Sequence, residues 1–516
     1  MSKPLEVVIV GGGTAGWMTA AALVSVLKPN ICTVRLIESD EIGIVGVGEA
    51  TLPQMKDFNE AIGVIEPDMM AKSNATFKLG IEFRGWGPKG TRYVHPFGKH
   101  GAAIGGVAFQ HQWIRAVLNG HAYDINDFSY PIVASRQNKF EFPAKDASAI
   151  NSTYSYAYHF DAHLYSKFLR AFAEPKGARR TEGKVVAVTQ DPENGNIASV
   201  TMESGEVIAG DLFIDCSGFR SLLMGQTLES PFEDWTRWLP CDRAMAVPCD
   251  RSTDFSPYTR STSQKAGWQW RIPLQHRTGN GYVYASAFIS DDEAREALLA
   301  NLDAPAQADP RPLKFKTGRR TDSWKKNCIA VGLASGFLEP LESTSIYLIQ
   351  VAVMNLLRLF PRTPIDPVLA TEFNRLVDVE YERVRDFLIL HYHANPREDG
   401  ELWRHVRSME VPDSLNAKIE LFRRRGFIQP YRDGLFAPPS WLSVYAGQGI
   451  APTGYERLAD NLPLGEVVPR LDDLKTRIAD RVALMPDHAD FVRDYCPSPA
   501  AVDPAQASSG IRGAVA

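Results

Sequence analysis

The sequence predicts an α/β protein built on a Rossmann-like unit, and three observations carry that expectation. The first strand, Leu5 to Val10 (LEVVIV), is apolar apart from Glu6, as expected of a strand buried on both faces of a parallel sheet. A glycine turn from Gly11 to Gly16 follows, then a helical run from Trp17 to Leu27 and a second strand at Thr33 to Glu38 (TVRLIE), which makes a β-α-β unit. Further on, Asp211 to Asp215 (DLFID) and Cys328 to Gly332 (CIAVG) read as two more buried strands with a glycine at or just past their ends.

The remaining elements follow in order. Lys184 to Val188, Ile197 to Met202 and Glu206 to Ala209 read as short antiparallel strands joined by Asn/Gly turns. Ser345 to Phe360 is helical and apolar nearly all round, so a buried central helix is expected. Pro361, Pro364 and Pro367 then break the chain. Ala370 to Tyr392 and Leu415 to Arg425 read as amphipathic helices, the second with Asp413 and Ser414 as caps and Gly426 at its end. Phe436 to Gly454 is a Pro/Gly-rich stretch studded with aromatics. The expected organisation is a nucleotide-binding part with interleaved substrate-facing strands over 1–360, a mostly helical cap over 361–496, and a disordered Ala/Ser/Gly-rich tail over 497–516.

Bulk properties exclude several function classes. The chain has 516 residues, 44% apolar and 23% charged, in the range of an ordinary globular protein. A net charge of −5 gives no attraction to nucleic acid or an anionic membrane. Six cysteines (Cys32, Cys216, Cys241, Cys249, Cys328, Cys496) are scattered without a Cys-x-x-Cys pair, as expected of reduced thiols in a cytosol. No signal peptide is expected before Leu5, and no apolar run reaches the roughly 18 residues that span a bilayer. A cytoplasmic enzyme is expected.

Gly11-Gly12-Gly13-Thr14-Ala15-Gly16 fits G-x-G-x-x-G, with the strand before and helix after that a dinucleotide fingerprint requires. Gly11 permits the tight turn, Gly13 lets the backbone approach a pyrophosphate, and Gly16 allows close helix–strand packing. The N-terminus of the following helix then faces the phosphates with free N–H groups. Glu38 ends the second strand 22 residues after Gly16, where a carboxylate can accept from ribose hydroxyls, and Ser39 follows it. A merely tight strand–helix turn is the bland alternative. The fingerprint does not separate FAD from NAD. Asp211-Leu-Phe-Ile-Asp-Cys-Ser-Gly218 resembles the second flavin-contact strand of the p-hydroxybenzoate-hydroxylase-like superfamily, and Cys328 to Ala334 resembles its third. In that order they favour FAD. The expected cofactor contacts are Gly11, Gly13, Thr14, Ala15, Gly16, Glu38, Ser39, Ala50, Val185, Gly332, Leu333 and Ile346.

Five segments extend the resemblance over most of the chain: GGGTAGW at 11–17, GVGEATLP at 46–53, NATFKLG at 74–80, WQWRIP at 268–273 and FLEPLESTSI at 337–346. They resemble the signatures of flavin-dependent tryptophan-type halogenases. That resemblance implies that reduced FAD, supplied by a separate NAD(P)H-dependent flavin reductase, yields hypohalous acid from O2 and bromide or chloride. Lys78 would capture the hypohalous acid and present the halogen to the arene. Its neighbours carry little charge, and desolvation favours a neutral amine. Glu342 would polarise the electrophile or take the arene proton, although a carboxylate there could equally cap the following helix. Backbone amides of Thr344 and Ser345 would bind halide at the helix start. Tryptophan-specific members generally carry glycine where this chain has Ser345. Trp268 and Trp270, two apart and so on one strand face, would keep substrate away from the flavin.

His95 and Phe97 in Tyr93-Val-His95-Pro-Phe97-Gly98 resemble the pair that stacks on an indole, with Phe436 and Trp441 as candidates for the opposite wall. Residues 433–441 lack most of the acidic and tyrosine cluster that holds free tryptophan. Indole, a substituted indole or another electron-rich arene is therefore expected as substrate, with a homodimer as an open possibility. A flavin-dependent aromatic monooxygenase on the same fold is the alternative, and a degenerate flavoprotein acting as a binding module is a third. His391-Tyr392-His393 carries no metal-ligand pattern, since i and i+2 on a helix diverge and no acidic or cysteine ligand accompanies them.

Overall fold

Buried at every residue but Glu6, the Leu5–Val10 strand lies inside a six-stranded sheet. Cys32–Glu38 and Leu212–Asp215 pair with it in parallel on either side, and Ala178–Glu182 and Cys328–Ala330 extend the sheet outward. Only the Trp324–Lys325 edge runs antiparallel. The computed structural model describes residues 3–41, 48–432 and 434–499, and the fold class is the α/β arrangement expected. The first helix, Thr14–Val26, starts three residues earlier than expected, at the end of the glycine turn.

A second sheet has seven strands. Its order is Arg311–Lys314, Arg243–Asp250, Arg277–Tyr284, Gly267–Pro273, Thr259–Gln264, Gly80–Arg84, Arg92–Pro96. All neighbours are antiparallel except Thr259–Gln264 with Gly80–Arg84. A small sheet of Gly48–Ala50, Ala157–Asp161 and Thr76–Lys78 carries the NATFK segment. Chain continuity joins the two at Leu79, whose N–H donates to Pro257 O at 2.7 Å and whose carbonyl accepts from Phe97 N at 2.8 Å. The expected hairpin strands form a separate sheet of Val185–Gln190, Ile197–Met202 and Val207–Ala209.

Beyond the Gly336–Phe337 strand the described chain is helical or irregular. The Ser345–Arg358 helix packs between Thr14–Val26 and the long Pro367–His393 helix. Two local expectations need correction, the helix caps and the start of the tail. Asp413 is the first residue of its helix and Pro412 occupies the cap position, so neither Asp413 nor Ser414 caps it. Ser414 instead donates to Asp386. The aromatic stretch after Phe436 contains a helix, Pro438–Gly447, which Pro438 and Pro439 can open because first-turn N–H groups need no partner. The tail does not begin at Pro497: Ser498 is buried and its N–H donates to Gln275 Oε1 at 2.8 Å, while residues 500–516 lie outside the described residues. Among the described residues no helix is long and apolar enough to cross a membrane.

Candidate active site

The glycine turn is built for a close approach. Gly11 has φ +114°, and a Cβ there would lie 2.2 Å from Cys216 O, so the first and second expected flavin segments touch at this point. Gly13, in contrast, has nothing within 4 Å of where a Cβ would stand, so the mouth of the Thr14–Val26 helix opens onto free space. No side chain caps that helix, and its first N–H groups are available to a pyrophosphate. The third segment arrives through Gly332, whose added Cβ would meet Ala15 Cβ at 3.0 Å and Ile349 next. Leu333 is half-buried beside it, and Ile346 and Ala50 are buried. Glu38 stands at the turn, but both its oxygens are already engaged. Oε2 accepts from Trp17 Nε1 at 3.1 Å and Oε1 from Arg180. Ser39 follows Glu38 half-buried, and half-buried Val185 opens the neighbouring three-stranded sheet. These residues fit a dinucleotide. Gly46 and Val47, the first residues of the GVGEATLP segment, lie outside the described residues.

Lys78 ends its strand fully buried. Nζ donates to Thr51 O at 2.9 Å and to Ser343 Oγ at 2.8 Å, and it lies 5.0 Å from the centroid of the Phe97 ring. Burial lowers its pKa to about 7, against a weaker upward pull from Glu342. A buried amine held by two neutral oxygens is poised between charged and neutral near physiological pH. Ser343 reaches Lys78 because it adopts φ 58°, an uncommon left-handed conformation for serine, between the Pro340–Glu342 turn and the following helix.

Glu342, one residue before, is also fully buried. Oε2 receives His95 Nδ1 at 2.7 Å, and Oε1 lies 2.8 Å from His391 Nε2 in an ion-pair contact that lacks the alignment of a hydrogen bond. Burial alone would raise this carboxyl; the two imidazoles outweigh it and hold it down at about 2. Thr344 and Ser345 begin the next helix. No side chain caps it, and buried Thr344 Oγ1 has no partner.

Lys78, His95 and Glu342 are therefore brought together around the 339–343 loop, with Phe97 beside Lys78. His95 lies 6.0 Å from Phe436 and 5.6 Å from Phe387, centroid to centroid, and Phe387 stacks on Phe436 at 3.8 Å and meets Trp441 edge-on at 5.1 Å. Trp268 and Trp270 share a strand face with centroids 6.2 Å apart. Trp268 donates Nε1 to Glu339 Oε2 at 3.2 Å, and Tyr392 donates to the same oxygen at 2.8 Å. Burial lifts the Glu339 carboxyl to about 7, against these donors.

Sequence reasoning missed Thr51, Ser343, Glu339, Phe387 and His391. Phe387 and His391 are four apart on a helix, a spacing that shares one face and could have found them. Considering His391 only with His393, two residues on, hid that relation. A further omission is His488, near the end of the described chain. Its Nε2 accepts the Phe77 N–H at 3.2 Å while Nδ1–H donates to Phe255 O at 2.9 Å, tying the Lys78 strand to the C-terminal helix His488–Tyr495.

Comparison with known proteins identifies the family and the fold. The sequence model of the tryptophan halogenase family matches residues 6–464. A tryptophan 6-halogenase of Streptomyces toxytricini is 36% identical over 492 residues, covering 89% of this chain and 92% of its own length. A tryptophan 7-halogenase of Lentzea aerocolonigenes is 36% identical, covering 81% of this chain and 82% of its own. Among solved structures, flavin-dependent halogenases from Xanthomonas campestris and Brevundimonas sp. BAL3 superpose with a TM-score of 0.92 each, at 45% and 42% identity. They cover 96% of this chain in both cases, and 99% and 100% of their own. This chain belongs to the tryptophan halogenase family and is a flavin-dependent halogenase.

Proposed function

We propose that this enzyme halogenates an electron-rich arene, such as indole or a substituted indole, with Lys78 delivering the halogen. Bound reduced FAD, with O2 and bromide or chloride, supplies hypohalous acid. A separate NAD(P)H-dependent reductase supplies the reduced flavin. The observation that carries the reading is the placement of Lys78: a buried amine, near neutrality, fixed by Thr51 O and Ser343 Oγ beside the Phe97 ring. A neutral amine can hydrogen-bond hypohalous acid or accept the halogen from it. Glu342 takes the proton that leaves the ring carbon, since it is held ionised and its loop also supplies Ser343.

Backbone N–H groups of Thr344 and Ser345 hold the halide, because the uncapped start of the Ser345–Arg358 helix leaves them to an anion. His95, Phe97, Phe436 and Trp441, with Phe387 behind them, supply aromatic faces for a flat ring. The sequence of 433–441 has little that would hold an amino-acid head group, which favours indole-like arenes over free tryptophan. Trp268 and Trp270 form a barrier strand between flavin and substrate.

The test is mass spectrometry of indole incubated with enzyme, FAD, NADH and a flavin reductase, in separate bromide and chloride buffers. A product with the isotope pattern of the halide supplied is expected. Gain of one oxygen, independent of halide, would replace this reading with aromatic hydroxylation.

A further inference from the structure

His391 sits on the far side of Glu342 from His95, and its surroundings settle where its protons are. Nδ1 lies 2.8 Å from Phe387 O. A carbonyl only accepts, so Nδ1 carries a hydrogen. Nε2 lies 2.8 Å from Glu342 Oε1. The contact is not aligned as a hydrogen bond, yet a carboxylate oxygen this close in a dry interior favours a hydrogen on Nε2 as well. His95 needs no such proton, because its neutral form can donate from Nδ1 to Oε2.

Lys78, by contrast, spends its contacts on a carbonyl and a hydroxyl. The other titratable groups facing this centre are uncharged. Burial, helped by Lys78, keeps His159 neutral behind the lysine strand; burial keeps the Tyr93 phenol protonated, with Gln448 donating to it; and burial keeps His100 neutral beside His95. The His391 ring itself is packed against Phe83, Trp86 and Phe387, and all three groups are buried apolar rings.

We propose that His391 is a positioning residue that, as the imidazolium, carries the counter-charge of Glu342, so that this duty does not fall to Lys78 and the lysine is free to be neutral. The division of charge explains why a buried carboxylate and a buried amine on one loop need not form an ion pair, which would silence the amine. It deepens the halogen-delivery reading above and rests on it for its catalytic meaning, though not for its electrostatics.

The test reads the Lys78 charge directly, by lysine 13Cε NMR titration of the whole chain, and separately follows the pH profile of indole bromination with reductase. In His391→Leu the Glu342 charge keeps His95 but loses the imidazolium, and it pulls harder on Lys78. The lysine midpoint should rise by one pH unit or more, and the acid limb of kcat/KM should rise with it. His391→Leu/Glu342→Gln removes both charges and should restore the wild-type lysine midpoint. Where the leucine variant does not fold, His391→Gln, which keeps a donor without the charge, should show the same upward shift. An unchanged lysine midpoint in a folded His391 variant overturns the proposal. Absence of indole halogenation by the wild type, with the lysine shift intact, would instead sink the arene reading and leave the counter-charge standing.

Discussion

Tyr392 donates its hydroxyl hydrogen to Glu339 at 2.8 Å, one residue along the helix from the histidine that faces Glu342. Two consecutive residues of the Pro367–His393 helix thus anchor both glutamates of the Glu339-Pro-Leu-Glu342 loop. The two carboxyls end in opposite states. Burial lifts Glu339 to about 7, whereas the imidazoles around Glu342 overcome burial and hold it at about 2. The difference comes from charge: Glu339 has only neutral donors.

Replacing Lys78 with methionine should abolish halogenation, by at least about a hundredfold in kcat, the low end of what a positioned proton-active group contributes. Flavin binding should persist, because the glycine turn lies on another sheet. Fluorescence titration of FAD alongside product analysis checks both halves.

Activity should rise with pH on its acid limb. Lys78 has its midpoint at about 7, so at pH 6 about a tenth of the amine is neutral, and kcat/KM should fall about tenfold from its plateau. The measurement is initial rate across pH 5.5 to 8.5 at fixed halide and saturating reduced flavin. A flat profile would detach the lysine from the rate.

Tyr392→Phe removes one of the donors to a fully buried carboxyl. About 1 kcal/mol of stability should be lost, the usual net contribution of such a bond. The Cys241 Sγ contact to the same hydroxyl goes with it. Urea unfolding of the variant against wild type measures the loss, and an unchanged midpoint would show that Glu339 is held by its surroundings instead.

His488 gives a stability effect with a definite pH sign. Burial depresses its pKa to about 4, from an ordinary value of 6.5. Its contribution is present above pH 6.5 and is lost as pH falls from there through 4, because the unfolded chain takes up the proton first. His488→Leu should remove this acid sensitivity. It should also leave the Phe77 N–H unpartnered next to Lys78, costing about 1–3 kcal/mol at neutral pH and lowering kcat. Thermal unfolding at pH 5 and 7.5, with rates, tests both.

Much of the site was legible because its members sit in short, chemically marked segments. The strand, glycine turn and helix at residues 5–26 announce themselves by local pattern, and Lys78, Glu342, His95 and the tryptophan pair stand in segments resembling a known family. Their supports were not legible. Thr51 contributes a backbone carbonyl, which any residue carries, and Ser343 matters through a left-handed φ that its type does not advertise.

The sequence by itself determined the β-α-β nucleotide unit, the family and the candidate site residues, because hydrophobic period, glycine placement and motif spacing are local properties of the chain. Only the tertiary structure decided their charge states and alignment. Glu342 is ionised because His95 and His391, from a strand and a helix far apart in the chain, converge on it. Lys78 is poised near pH 7 because burial beside the Phe97 ring lowers its pKa while Thr51 and Ser343 offer it only uncharged oxygens. Desolvation and Coulomb interaction depend on what surrounds a group in space, and the order of residues does not state that.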